Sequence, residues 1–334
     1  MQTTNVNKVL VSICIPVYNG ANYLRECLDS CINQTFSDYE ILICDDGSKD
    51  ESSTIIEDYQ KKYPAIRFYK NETNLGLVGN WNRCIELAKG EWIKFVFQDD
   101  YISTNCLSVF TNTIEDSSHL IVCERNFVLP KNADTDTITY YTKSVKTLEN
   151  TGFYKGKYFT PKQLCTIAMK YMGMNFIGEP SLIFFRKDIV SKVGYFNKDL
   201  KQICDFEFAI RIGSNYGLTY IPEKLCFFRI HSQTTTSLNV LNNYFYLHYI
   251  EPLVFSYFLL FDSSFKSFRR NLGFFYSYKL RLYFKVKSFV AYEASKKQTN
   301  EITLFMNKET KFKEIEAVKT GSFFVRCLAK FLVN

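Results

Sequence analysis

Two pairs of adjacent carboxylates, Asp45-Asp46 and Asp99-Asp100, each follow a short apolar run in this 334-residue chain. Carboxylates placed side by side repel and raise one another's pKa, so they persist more readily where a cation or a donor-rich ligand compensates them. Hard oxygen donors of this kind suit Mg2+ or Mn2+ held together with substrate phosphates, which implies a diphosphate leaving group. Asp99-Asp100 is the stronger signal, because it leaves the apolar Phe95-Val96-Phe97 directly for what should be a cleft. Asp45-Asp46-Gly47-Ser48, taken alone, also reads as an ordinary turn with a helix cap. No Gly-x-x-x-x-Gly-Lys-Ser/Thr loop is present, and the turn Tyr18-Asn19-Gly20-Ala21 lacks Gly-x-Gly-x-x-Gly. NTP hydrolysis and hydride transfer therefore lose their main support. Three histidines, none at ligand spacing from a cysteine pair, argue against zinc.

The elements that must position these residues alternate in the manner of a parallel α/β domain. Residues 9–17 (VLVSICIPV) form a near-continuous apolar run, as in a strand buried on both faces. Residues 23–33 then place Leu24, Cys27, Leu28, Cys31 and Ile32 at a helical period. Strands over 39–44, 66–69 and 92–97 alternate with helices over 52–63 and 78–89, which predicts right-handed crossovers and a doubly wound sheet. In such sheets ligands bind outside the carboxyl ends of the strands. Those ends here are Pro16-Val17-Tyr18-Asn19, Asp45-Asp46-Gly47-Ser48 and Gln98-Asp99-Asp100. The polar, Thr-rich residues 130–150 suggest a surface excursion. Further on, the pattern predicts a strand over 181–185, a helix over 206–216 and two strands over 218–221 and 225–230. From Leu238 onward the chain reads as helical, aromatic and increasingly basic.

The stretch VSICIPVYNGANYLRECLDSCINQTFSDYEILICDDGSKDES, followed by NLGLVGNWNRCIELAKGEWIKFVFQDD, closely resembles the inverting nucleotide-sugar glycosyltransferases of family 2, which have the GT-A fold. The resemblance extends over roughly residues 9–235. It implies an α/β domain with a mostly parallel central sheet, followed here by a C-terminal helical extension. By the same resemblance Tyr18 flanks or stacks on the nucleobase, Asp46 with Asp45 bonds its edge, and Asn74 and Asn82 line the nucleotide site. Pro16, Asn19, Gln98 and Asp99 complete the donor-side set. Phe97 stands where the family's Asp-x-Asp has its first acid, so metal ligation by Mn2+ or Mg2+ is expected to rest on Asp99 and Asp100, with one shared with the ribose.

Inverting transfer needs a carboxylate that takes the acceptor hydroxyl proton while the oxygen attacks opposite the departing diphosphate. The segment Ile203-Cys204-Asp205-Phe206-Glu207 looks like the family's acceptor-side Glu-Asp followed by a helix, with Cys204 in place of the Glu. Asp205 then falls on the position of the catalytic base. Its structural alternative is a helix cap, with Glu207 and Arg211 as a surface i, i+4 pair. Glu179, in Gly178-Glu179-Pro180-Ser181, and Glu207 are the acceptor-side candidates. Arg229 and His231 are expected on one face of a strand end near the diphosphate, with His231 as a third metal ligand.

Charge is divided along the chain. Residues 264–334 hold 15 Lys and Arg against 5 Asp and Glu, while residues 1–263 hold 26 against 29. A nucleic-acid binder would be basic throughout, so no nucleic-acid partner is expected. Residues 265–292 and 320–333 interleave aromatic and cationic side chains, which suits an interfacial helix on anionic lipid as well as a packed helical subdomain. Eleven cysteines without a Cys-x-x-Cys pair fit buried free thiols. With no secretory pattern at the start and no apolar run near 20 residues, a cytoplasmic protein, peripheral on the inner membrane face, is expected. The chain divides into a donor-binding half (1–118), an acceptor-binding half (119–237) and a basic helical region (238–334). The expected activity is transfer of one sugar from a nucleotide-diphosphate donor, a UDP-sugar first, to a glycan or lipid-linked hydroxyl in bacterial surface-polysaccharide synthesis. The rival is a catalytically silent protein of the same fold that binds nucleotide-sugar or glycan, favoured by Phe97 and Cys204.

Overall fold

Seven consecutive buried residues, VSICIPV, make β1 (Val11–Val17) an inner strand of the sheet. It pairs in parallel with β2 (Tyr39–Asp45) on one side and β4 (Trp92–Phe95) on the other, and β2 continues to β3 (Ile66–Lys70). Buried on both faces, such strands need apolar residues at every position rather than alternate ones. Between them run α1 (Ala21–Ile32), α2 (Ser52–Lys62) and α3 (Leu77–Leu87). Leu24, Cys27, Leu28 and Cys31 form the buried stripe of α1. The structure, a computed structural model, describes residues 9–152, 157–231 and 249–295, of which Phe289 and residues 291–295 are described by backbone alone.

Beyond β4 the sheet stops being parallel. In chain order there follow β5 (Tyr101–Ile102), α4 (Cys106–Asn112), β6 (Leu120–Val128), α5 (Thr135–Thr139), β7 (Tyr158–Phe159), α6 (Pro161–Lys170), β8 (Ile183–Arg186), α7 (Val190–Val193), α8 (Cys204–Tyr216) and β9 (Leu218–Arg229). The sheet order is β3-β2-β1-β4-β8-β6-β9-β5, with β7 also on β9. β8 runs antiparallel to both β4 and β6, while β6 and β9 are parallel. The fold is therefore α/β with a mixed sheet, parallel in its first half. Residues 218–229 form one strand rather than two: Pro222 and Glu223 lie in a bulge between the Cys123–Ile221 and Glu124–Lys224 pairs. A bulge accommodates a proline that could not donate to the ladder, and it bends the strand without ending it. The excursion over 130–150 carries α5 on a largely exposed segment that is pinned by the buried Leu148.

The described part of the C-terminal region is helical: α9 (Glu251–Phe261), α10 (Lys266–Asn271) and α11 (Phe274–Ser295). α10 docks on the end of α8, where Ser267 Oγ and Asn271 Nδ2 donate to the Ser214 carbonyl at 2.8 and 3.1 Å. Lys279 of α11 donates to the Met169 carbonyl of α6 at 3.0 Å. Residues 232–248 and 296–334, including the second basic stretch at 320–333, lie outside the described residues. No helix among the described residues is long and apolar enough to cross a membrane. The ten described cysteines are all buried and free.

Candidate active site

At the carboxyl end of β1 the chain turns through Asn19 in the left-handed region (φ 50), a conformation Asn tolerates better than most side chains. Asn19 joins two strand ends: its amide donates to Ser48 Oγ at 2.9 Å and its Oδ1 accepts the Lys49 amide at 2.8 Å. Gln98 holds Tyr18 by its backbone alone, taking the Tyr18 amide at 2.8 Å and donating to the Tyr18 carbonyl at 3.1 Å. The Tyr18 ring is left 50% exposed. A Cβ at Gly20 would collide with the Gln98 amide, so this packing requires glycine. Pro16 is buried inside β1, opposite Cys44.

Asp45 and Asp46 have separate tasks. Asp45 takes the Ser48 amide and hydroxyl on Oδ1 and the Ser53 hydroxyl on Oδ2 at 2.9 Å. Asp46 accepts Asn71 Nδ2 and the Leu75 amide, both at 2.8 Å, and the Gly76 amide at 2.9 Å. Asn74 adds to the same knot, donating to the Asp46 carbonyl at 3.0 Å. Asp46 thus shapes the loop over 71–76 that leads into α3, while Asp45 holds the turn after β2. Asn82 is buried and bonds Phe196, donating to its carbonyl at 2.9 Å and accepting its amide at 3.0 Å.

Asp99 and Asp100 do not act as a cleft-facing pair. Asp100 is buried, accepting Ser181 Oγ at 2.6 Å and the Arg229 amide at 3.2 Å, and burial followed by the Asp99 charge pushes its carboxyl well above the usual range. Asp99 turns the other way, with Oδ2 3.1 Å from His231 Nε2. The two sit on a turn after β4, closed by the Asp100 amide donating to the Phe97 carbonyl at 3.0 Å, which sends the neighbouring side chains to different partners. His231 also packs against the Tyr23 ring at 4.8 Å. β9 ends at Arg229, whose guanidinium donates to the Asp99 carbonyl at 3.1 Å, pairs with Glu26 and lies 4.8 Å from the Tyr23 ring. A carboxylate and an imidazole in contact, both partly exposed, make a donor set that fits a hard divalent cation bound together with phosphate oxygens. Among the described residues no group of three such side chains could hold an ion unaided.

Asp205 lies in the first turn of α8 and does not cap it, since Ile203 holds the cap position. Its side chain is buried, with Oδ1 on the Phe206 amide and Oδ2 accepting Asn175 Nδ2 at 3.3 Å. Burial pushes its pKa up to about 7, with the Phe206 amide opposing, the Glu179 charge adding to the rise and Arg125 opposing it. Glu179 sits in a partly buried ion pair, accepting Arg125 Nη1 at 2.8 Å. Arg125 Nε and Glu179 Oε2 are both shielded from solvent without a protein partner. Asn175 also donates to the Gly178 carbonyl, which ties Asp205, Asn175 and the Arg125–Glu179 pair into one patch. Gly178 has φ +109, and a Cβ there would strike Leu182 and crowd Arg125.

The Glu207–Arg211 pair is buried rather than on the surface. Glu207 takes Arg211 Nε at 2.8 Å and Nη2 at 2.9 Å, and the guanidinium also holds the Val193 and Tyr195 carbonyls. A charge pair inside the core is retained where its geometry saturates both partners. Arg125, Asn175 and Glu251 carry no sequence signal, since each acts through residues remote in the chain. Glu251, the first residue of α9, accepts the amides of Lys201, Gln202 at 2.8 Å and Ile203 at 3.2 Å.

The sequence profile of Glycosyl transferase family 2 matches residues 12–176. The poly(ribitol-phosphate) beta-glucosyltransferase of Bacillus spizizenii is 46% identical over 100 residues, 29% of this chain and 16% of that longer protein. Among solved structures, S. aureus TarS residues 1–349 in complex with UDP-GlcNAc superposes with a TM-score of 0.57 at 19% identity, over 84% of this chain and 73% of that one. The mannosyltransferase PcManGT of Pyrobaculum calidifontis, in complex with GDP-Man and Mn2+, gives 0.55 at 14% identity, over 97% and 84%.

Proposed function

This chain belongs to glycosyltransferase family 2 and has the GT-A fold, and on that footing we propose that it is a metal-dependent inverting enzyme that moves one sugar from a nucleotide-diphosphate donor to a hydroxyl. The observation that carries the proposal is Asp205, a buried carboxyl with a pKa of about 7 on the acceptor side of the site. A base at that value accepts a proton near neutral pH and still gains from burial when it does so. In the reaction the acceptor oxygen forms a bond to the anomeric carbon, the bond from that carbon to the diphosphate oxygen breaks, and the hydroxyl proton passes to an Asp205 oxygen.

Asn175 holds Asp205 Oδ2 in register, while Glu179 and Arg125 offer an acceptor and a donor side by side, a combination suited to neighbouring hydroxyls of a sugar or polyol. Tyr18 presents its exposed ring to the nucleobase, with Asp46 and Asn74 shaping the adjoining loop. Mn2+ or Mg2+ on Asp99 and His231 would neutralise the charge that develops on the departing diphosphate. Arg229 holds the turn that carries Asp99. UDP is the nucleotide to test first, given the UDP-GlcNAc complex of TarS, and a glycan or lipid-linked acceptor of a bacterial surface polymer fits the relatives.

A peripheral position on the cytoplasmic membrane face belongs to the same proposal. Phe274 and Phe275 at the start of α11 are 91% and 70% exposed, and exposed Lys266, Arg270, Arg281 and Lys285 surround them in sequence. The decisive experiment is a donor screen read as nucleotide release, with and without Mn2+, in wild type and Asp205→Asn. Metal-stimulated release from one donor, with transfer lost in the variant, is expected. Absence of metal-stimulated release from every donor would overturn the reading.

A further inference from the structure

Lys94 is a fully buried lysine beneath the site that the mechanism leaves unused. An ammonium taken out of water requires an anion or neutralisation. Among the described residues no carboxylate lies within ion-pair distance of its Nζ, which instead meets the Ser181 carbonyl, the Phe110 ring face at 4.9 Å and Cys226 Sγ at 3.3 Å. Cys226 in turn lies 3.5 Å from Cys123 Sγ. We propose that Lys94 and Cys226 form a buried ammonium–thiolate pair that positions the two strand ends carrying Asp99 and His231. Lys94 stands on β4 five residues before Asp99, and Cys226 on β9 five residues before His231.

In the sheet β4 and β9 are separated by β8 and β6, so no ladder hydrogen bond joins them directly. The Lys94–Cys226 contact spans that gap. Lys94 also holds the Ser181 carbonyl, and Ser181 Oγ holds Asp100, so one ammonium anchors all three segments below the Asp99–His231 contact. The local chemistry favours charge separation. Burial opposes ionisation of Cys226, but the neighbouring Cys106 and Cys123 thiols and the charge of Lys94 outweigh it and draw its thiol well below the ordinary value. Burial likewise opposes the charge of Lys94, and Cys226 with its neighbours holds it protonated. Cys106 and Cys123 are pushed up, first by burial and then by Cys226, so the thiolate settles on one sulfur of the three.

The positioning role rests on the Asp99–His231 metal reading, whereas the ion pair does not, and the test separates them. Ultraviolet absorbance of the full native chain at neutral pH is expected to show one thiolate equivalent that is absent from Cys226→Ala and from Lys94→Met. An unchanged spectrum overturns the pair. If either single variant folds poorly, the double variant Lys94→Met/Cys226→Ala is expected to melt above both, because no charge is left unpaired; additive losses overturn the pair. Mn2+ binding to the folded double variant, read from the free-ion EPR signal without turnover, is expected to weaken about tenfold, as when partners of a metal ligand are removed. Unchanged Mn2+ affinity overturns the positioning role. No Mn2+ binding to wild type overturns the metal reading and leaves the thiolate measurement standing.

Discussion

A carboxyl at about 7 makes the Asp205 prediction a pH prediction. Transfer should rise tenfold per pH unit on the acid side and level off above about 7, as one group loses its proton. The same shift has an opposite effect on stability. An unfolded Asp releases its proton near 3.9, so the folded state holds the proton more tightly and loses stability as pH rises from about 4 toward 7. Asp205→Asn should lack that pH dependence of melting and lose roughly 10²- to 10⁴-fold in transfer, the usual share of a general base. A melting curve that follows wild type across this window would refute the assignment. Asp99 and Asp100 separate by their partners. Asp99→Asn should raise the Mn2+ requirement about 10- to 100-fold with melting unchanged. Asp100→Asn should chiefly lower the melting temperature, because one of the two buried oxygens that accept from the Ser181 hydroxyl and the Arg229 amide becomes an NH2 group. A titration of activity against Mn2+ beside a thermal melt distinguishes the two. The acidic pairs themselves were legible in the sequence. Their division of labour was not, since it depends on which neighbour in the turn after β4 faces Ser181 and which faces His231.

Helix α8 shows how an element gains precision from outside itself. Its N-terminus has no side-chain cap of its own, and the amides just before it end on the carboxylate of Glu251. Amides at a helix start are donors that must be satisfied, and an acidic group there also complements the helix dipole. Glu251→Ala should therefore cost roughly 1–3 kcal/mol by leaving partly buried amide donors unpaired. It should also lower the transfer rate constant more than the donor Michaelis constant, since Asp205 follows two residues later. Equal activity at equal melting temperature would remove Glu251 from this role. The strands over 11–17 and 39–45 and the helix after each of them follow from periodicity, with ends displaced by a residue or two. β9 escaped because Pro222 looks like a break, and only pairing with β6 turns it into a bulge. The antiparallel insertion of β8 between β4 and β6 has no local signature at all.

At the scale of the whole molecule, charge and exposed apolar surface coincide at α11. Full-length protein should co-float with anionic vesicles and much less with neutral ones, and Phe274→Ser/Phe275→Ser should reduce flotation without changing nucleotide release. Equal flotation on both lipids, or none, would remove the membrane contact. The C-terminal helices are also structural partners of the α/β domain, because α10 ties to Ser214 at the end of α8 and α9 supplies Glu251 at its start. What the sequence determined by itself was the α/β class, the first strands and the helices between them, and the identity of the acidic groups that follow those strands. Those follow from apolar periodicity and from motifs read within a few residues. The tertiary structure decided that Asp99 meets His231 across 132 positions, that Asp205 is buried beside Asn175, and that Lys94 meets Cys226 rather than a carboxylate. Such contacts are set by sheet order and helix docking, which place residues distant in the chain within reach of one another and, by excluding water, fix their charge.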